Sequence, residues 1–177
     1  MSAIPYVPAD LHQPAAIVEA IRARRGGRLL NLDRILLHSP NFARGWNTLL
    51  GATRSELILP ADLRELCICA VGALNGAEYE LQQHSPPFLA AGGTALQLQA
   101  LRNIEGAIGN AQLFSALERG ALRLCLAMSR AVQVPPALIS ELRAALGSDP
   151  LLVELVGVIA TYNMVSRFLV ALEVDLE

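Results

Sequence analysis

Apolar residues recur at helical spacing through most of this chain, and the strict alternation of a half-buried strand is nearly absent. Pro14 suits the first position of a helix over residues 14–25, which Gly26-Gly27 stops. Leu29, Leu32, Leu36 and Leu37 mark a stripe over residues 29–38. Ser39-Pro40 then reads as N-cap and first position for residues 41–51. Leu59-Pro60-Ala61 opens the next helix, which ends at Asn75-Gly76. A further helix carries Glu80 and His84, with Asn75 its predicted cap and Pro86-Pro87 predicted to kink or end it. Residues 94–102 form a short helix, and the polar, glycine-bearing stretch 103–114 reads as a loop. Ser115 and Glu118 make a capping box for a helix to about residue 132. Pro135-Pro136 starts another, closed by Gly147. Asp149-Pro150 caps the last, residues 151–172, whose apolar surface is broken before its last turn by Glu154 and Arg167 alone. Such a helix belongs in a core or an interface. The pattern predicts an all-α fold in one domain, residues 1–177, with residues 1–40 as an N-terminal helical extension.

Composition sharpens this picture at three points. The chain is 53% hydrophobic but only 17% charged, below the roughly 25% of an average domain. That shortage predicts surface hidden in subunit contacts. A formal charge of −2 with 5% aromatic residues offers no basic, aromatic-laced face for nucleic acid. The uncharged runs 66–77 and 155–166 are twelve residues each, short of the ~18–20 that a membrane span needs. The opening MSAIPYVPADLHQP has no basic region followed by an apolar core, so a cytoplasmic location is expected. Cys67, Cys69 and Cys125 read as buried small hydrophobes with free thiols, since Cys-x-Cys is not the Cys-x-x-Cys redox spacing.

The candidate chemistry lies in residues 65–84, ELCICAVGALNGAEYELQQH. Glu65 precedes the Asn75-Gly76 turn by about ten residues and His84 follows it by about nine. At ~1.5 Å rise per residue both lie ~14–15 Å from the turn, so an antiparallel hairpin brings them level. Glu80 precedes His84 by four and shares its helix face. Two carboxylates and an imidazole therefore converge between apolar walls, an arrangement suited to proton transfer. Glu78 faces elsewhere and reads as solvated or a subunit contact, and His12 and His38 as surface or cap residues.

The spacing Glu65…Ala77-x-x-Glu80-x3-His84 resembles the frame of the AhpD-like and carboxymuconolactone decarboxylase superfamily. In the hydroperoxidase branch the two middle positions are cysteines; here they are Ala77 and Glu80. Arg64-Glu65…Ala77-Glu78-Tyr79-Glu80…His84 is more similar to the decarboxylase branch. The resemblance covers roughly residues 42–130 and returns at Tyr162-Asn163…Arg167-Phe168, which looks like the family's C-terminal helix. It implies an AhpD-like helical bundle around a central antiparallel helical hairpin, working without a cofactor as a homo-oligomer (dimer, trimer or hexamer).

The function so implied is acid–base chemistry on a small carboxylate or lactone, with decarboxylation first, of the kind used in degrading aromatic compounds. His84 would donate or relay the proton, Glu65 would orient it and tune its charge, and Glu80 would complete the relay or hold a water. Trp46, Tyr79 and Arg167 are candidates for the pocket wall, each weighed against a structural role: core packing for the aromatics, an ion pair for Arg167. No cluster has metal-ligand spacing, and the Gly-rich stretches lack the setting of phosphate loops. Two rival readings are a thiol peroxidase, which lacks its cysteines at positions 77 and 80, and a non-catalytic relative that binds a small molecule or serves as a scaffold.

Overall fold

The computed structural model describes residues 2–177. Ten helices and no strand run through them. They group into two compact units, Met1–Leu57 with Phe168–Glu177, and Ile58–Arg167. The first unit thus takes in more than the forty N-terminal residues set apart by sequence.

In the first unit, α1 (Ala15–Arg24) ends where Gly26 and Gly27 adopt φ of +68° and +93°, conformations that cost glycine little. The short α2 (Asn31–Leu36) is fixed by the buried Asp33, whose carboxylate accepts the Leu30 backbone N–H at 3.0 Å and pairs with Arg25 at 3.1 Å. The third helix, α3 (Pro40–Ser55), begins at the expected proline and runs one turn past the expected end. Trp46 on α3 packs against Phe168 and Phe42, with ring centroids 5.0 and 5.7 Å away. Asp175 ties chain ends together by accepting from the Ser2 N–H and the Tyr6 hydroxyl.

In the second unit, α4 (Ala61–Leu74) and α5 (Glu78–Ala90) form the expected hairpin, turning through Gly76 at φ +67°. Six consecutive residues of α4, Leu66 to Val71, are fully buried, so this helix is the centre of the unit. Helix α5 is its close neighbour: a Cβ on Gly72 would come within 3.3 Å of the Glu80 Cβ. After α6 (Ala95–Ala100) and α7 (Ile104–Gly109) comes α8 (Ala116–Arg130), which packs on α4 and carries the predicted Ser115–Glu118 capping box. Helix α9 (Pro136–Leu146) stops at Gly147 with φ +64°, and α10 (Asp149–Ala171) begins in this unit and runs into the first. By length and composition α10 would suffice to cross a membrane, but half of its apolar window is buried inside the protein, as in a core helix.

Three local expectations are corrected. Asn75 does not cap α5. It ends α4, and its side-chain amide donates to Asn163 Oδ1 and Ser166 Oγ on α10, while Ala77 is the residue preceding α5. Pro86 and Pro87 sit inside α5 rather than ending it. Gln82 and Pro86 are on its exposed side, so the carbonyl that Pro86 leaves without a donor is open to solvent. Residues 103–114 are not all loop: Asn103 accepts from the Gly106 N–H and starts α7, which buries Ile104 and Ala107.

Candidate active site

Glu65 is the fifth residue of α4, beyond the first turn, so the helix N-terminus does not account for it. It is 4% exposed, Glu80 is 4% and His84 2%. Charged groups buried to this depth must satisfy one another. They do so around the imidazole. His84 Nδ1 lies 2.7 Å from Glu65 Oε2, in position to donate. The other Glu65 oxygen accepts from Arg64 Nε at 3.3 Å. On the far side of the ring, His84 Nε2 is 3.4 Å from Glu80 Oε2 and 3.1 Å from the Tyr162 hydroxyl. Tyr162 meets the ring edge-on, at 87° and 5.0 Å between centroids, and is itself buried.

This arrangement assigns the protons. With Nδ1–H given to Glu65, the ring is held in one orientation and its Nε2 faces the variable side. A neutral ring accepts there from the Tyr162 O–H; a protonated ring donates to Glu80. The site can therefore store or release one proton at Nε2 without moving a heavy atom far. Burial pushes the Glu65 carboxyl up, but the hydrogen bond and charge of His84, with Arg64 behind them, outweigh it and hold the group below the usual carboxylate range. Cys69 lies one turn along α4 from Glu65. Burial, with the charges of Glu65 and Glu80, pushes its thiol up to about 12. Cys125 is likewise raised by burial, and all three thiols are free and buried.

The three residues expected to act together are brought together. Tyr162 was missed as a partner of His84, although the Tyr162-Asn163 pair on the last helix was visible as a motif. Tyr79 is buried on α5, beside Glu80 in sequence. Trp46 sits in the aromatic cluster of the first unit, and its indole N–H, though buried, meets no partner among the described residues. Arg167 has no carboxylate partner among the described residues, where it donates to Asn163 Oδ1 and to the backbone oxygens of Asn163 and Ser129; an ion pair with an acid of a second subunit, the other form of the sequence expectation, is not tested by a single chain. Those oxygens satisfy its N–H donors but leave its charge unpaired. Glu78 is exposed and bridges to Arg102 at 2.7 Å. Among the described residues no group of three His, Cys, Asp or Glu side chains is placed to hold a metal ion.

The sequence pattern of the carboxymuconolactone decarboxylase family matches residues 40–119, which include Glu65, Ala77, Glu80 and His84. Over those residues the chain is similar to that family. Its fold is that of AhpD-like proteins. A peroxidase-related protein from Silicibacter sp. TM1040, described as uncharacterized, superposes with a TM-score of 0.80 at 18% identity over 99% of this chain and 92% of its own. An uncharacterized peroxidase-related protein from Ralstonia eutropha JMP134, with an alkylhydroperoxidase AhpD core, gives 0.78 at 18% identity over 99% and 94%. A protein of unknown function from Agrobacterium tumefaciens gives 0.69 at 16% identity over 81% and 95%. No curated protein matches the sequence. At these identities the likeness establishes the fold and leaves the chemistry to be argued from the residues.

Proposed function

We propose that this protein, like the carboxymuconolactone decarboxylase family it resembles over residues 40–119, catalyses cofactor-independent proton transfer, with decarboxylation of a small lactone or keto acid as its reaction. One observation carries the reading: the buried His84 has Nδ1 committed to Glu65 and Nε2 directed at Glu80 and Tyr162. Glu80 stands where a redox relative would hold a cysteine.

In the proposed reaction the bond between a substrate carbon and its carboxylate breaks and neutral CO2 leaves. The electron pair passes into a conjugated carbonyl to form an enolate. His84 Nε2 then gives its proton to carbon, and Glu80 or Tyr162 restores it from solvent. Glu65 keeps the ring oriented and stabilises the imidazolium, the role of an orienting carboxylate. An apolar surround favours the first step, since a carboxylate loses its charge on becoming CO2. Tyr79 is the proposed substrate contact, and Arg167, already bound to Asn163 and Ser129, contributes less directly. We place this enzyme in the cytoplasm, acting in aromatic-compound degradation.

The test is a panel of β-keto acids and unsaturated lactone carboxylates in D2O. The expected result is CO2 release with one deuterium at the product carbon next to the carbonyl. In parallel, alkyl hydroperoxide with a dithiol reductant should give no thiol-dependent turnover. A buried thiol raised to about 12 is not a thiolate near neutral pH. Because all three thiols are fully buried, a thiol reagent at pH 8 should leave Cys67, Cys69 and Cys125 unmodified in the native protein and titrate all three after denaturation. Peroxidase turnover abolished by Cys67→Ser or Cys125→Ser would overturn the proposal in favour of the redox rival.

A further inference from the structure

The buried side of α10 is aliphatic apart from Tyr162 and three small polar residues, Thr161, Asn163 and Ser166, that lie within two turns of one another. Two of these meet a donor from the hairpin turn. Asn75, the residue that ends α4, donates its side-chain amide to Asn163 Oδ1 at 3.0 Å and to Ser166 Oγ at 2.7 Å. Arg167 donates to the same Asn163 oxygen and, at 3.2 Å, to the Ser129 carbonyl on α8. Arg130, next to Ser129, donates at 2.9 Å to the Leu74 carbonyl at the end of α4. These bonds tie α10 to the ends of α4 and α8. Asn163 is their node, because its Oδ1 takes both the Asn75 and the Arg167 donors.

Aliphatic packing alone fixes the height of such a helix poorly. Leu155, Val158, Ile159 and Val165 present similar bulk at successive turns, so a slip of one turn, about 5.4 Å, exchanges like for like. Tyr162 tolerates no slip. Its hydroxyl stands 3.1 Å from His84 Nε2, and a slip of one turn puts Val158 or Ser166 in its place. A buried asparagine fixes register between apolar helices, because only one alignment satisfies its hydrogen bonds. We propose that Asn163 is a positioning residue for the site: held by Asn75 and Arg167, it sets the register of α10 and so keeps the Tyr162 hydroxyl on His84 Nε2. Asn163 acts through its chain neighbour Tyr162. The kinetic part of this inference rests on the proton transfer proposed above, and the geometric part does not.

Nitrogen NMR of the His84 imidazole in the full-length chain decides it. Tyr162→Phe removes the hydroxyl and gives the Nε2 resonance without that bond, at the same pH as the parent. Asn163→Leu keeps the volume but removes the acceptor, and should move Nε2 most of the way to the Tyr162→Phe value. Asn163→Asp keeps an oxygen for both donors and gives Arg167 a carboxylate, so it should hold Nε2 at the parent value. Asn75→Ala, a cut in a half-buried side chain, should give a smaller shift in the same direction, and it decides the matter if Asn163→Leu does not fold. On a substrate found by the deuterium panel, Asn163→Leu should lower kcat about tenfold or more with KM little changed, and Asn163→Asp should recover most of the loss. A parent-like Nε2 in Asn163→Leu, or in Asn75→Ala where that variant decides, would overturn the proposal, since a lower melting temperature alone would make the network structural. An Asn163→Asp shift as large as that of Asn163→Leu, or a Tyr162→Phe resonance identical to the parent's, would overturn it too. If the panel gives no turnover, the proposed reaction fails and the Nε2 readings still decide the positioning role.

Discussion

His84 has one nitrogen committed to Glu65 and the other set between Glu80 and Tyr162, and the site follows from that asymmetry. Glu65 commits Nδ1 at 2.7 Å and is itself held by Arg64. Its carboxyl lies below the usual glutamate range because His84 and Arg64 outweigh the burial that opposes them. The sign of the pH effect follows. A carboxyl lowered on folding contributes stability that is present above its unfolded pKa, about 4.3, and lost as pH falls through the lower folded value. Glu65→Gln should therefore melt below the parent at pH 6–7, with the gap constant down to about pH 5 and closing below about pH 4. Thermal melts across that range check it; a gap that closed between pH 7 and 5 would mean the carboxyl is not held low. At this scale the sequence was informative about spacing but not about partners. Glu65, Glu80 and His84 were legible because helical rise and the i, i+4 rule are local arithmetic. Tyr162 was not, since its contact spans seventy-eight residues of sequence separation.

The α4–α5 hairpin turns this spacing into geometry, and Gly72 is one point where α5 comes close, at Glu80. Gly72→Ala would set a methyl 3.3 Å from the Glu80 Cβ, close enough that α5 must yield by a few tenths of an ångström. The alanine's gain in helix propensity, about 1 kcal/mol, offsets that strain, so stability should change by less than about 1 kcal/mol. Turnover should nonetheless fall roughly tenfold, because small displacements of a proton-transfer group are costly. Chemical denaturation beside steady-state kinetics separates the two effects; unchanged kinetics would mean that the hairpin spacing does not set the site. Helix starts with a local signature were legible, as at Ser115–Glu118 and Pro40. The prolines in α5 misled because their cost depends on whether water reaches the freed carbonyl, which the sequence does not record. Asn75 misled for a related reason: its partners Asn163 and Ser166 lie on the distant α10.

At the scale of the whole chain, only 17% of residues are charged, and α10 leaves Val153, Met164 and Val170 exposed. The site draws on α4 and α5 for the acid–base triad and on α10 for Tyr162. It therefore exists only when residues from distant parts of the chain are packed together. The superfamily frame was visible in sequence because it lies within the hairpin. The outer face of α10 was visible only as an excess of apolar residues, since which side of a helix faces out is fixed by its neighbours.

The central claim is that His84, oriented by Glu65, moves the proton. Its most direct measurement is single-turnover deuterium incorporation into product, in D2O, by the parent enzyme, His84→Ala and Glu65→Gln, each checked for native circular dichroism. The account predicts decarboxylation with deuterium at carbon in the parent and a loss of about 10²-fold or more in each variant. Turnover that persists in His84→Ala would contradict it.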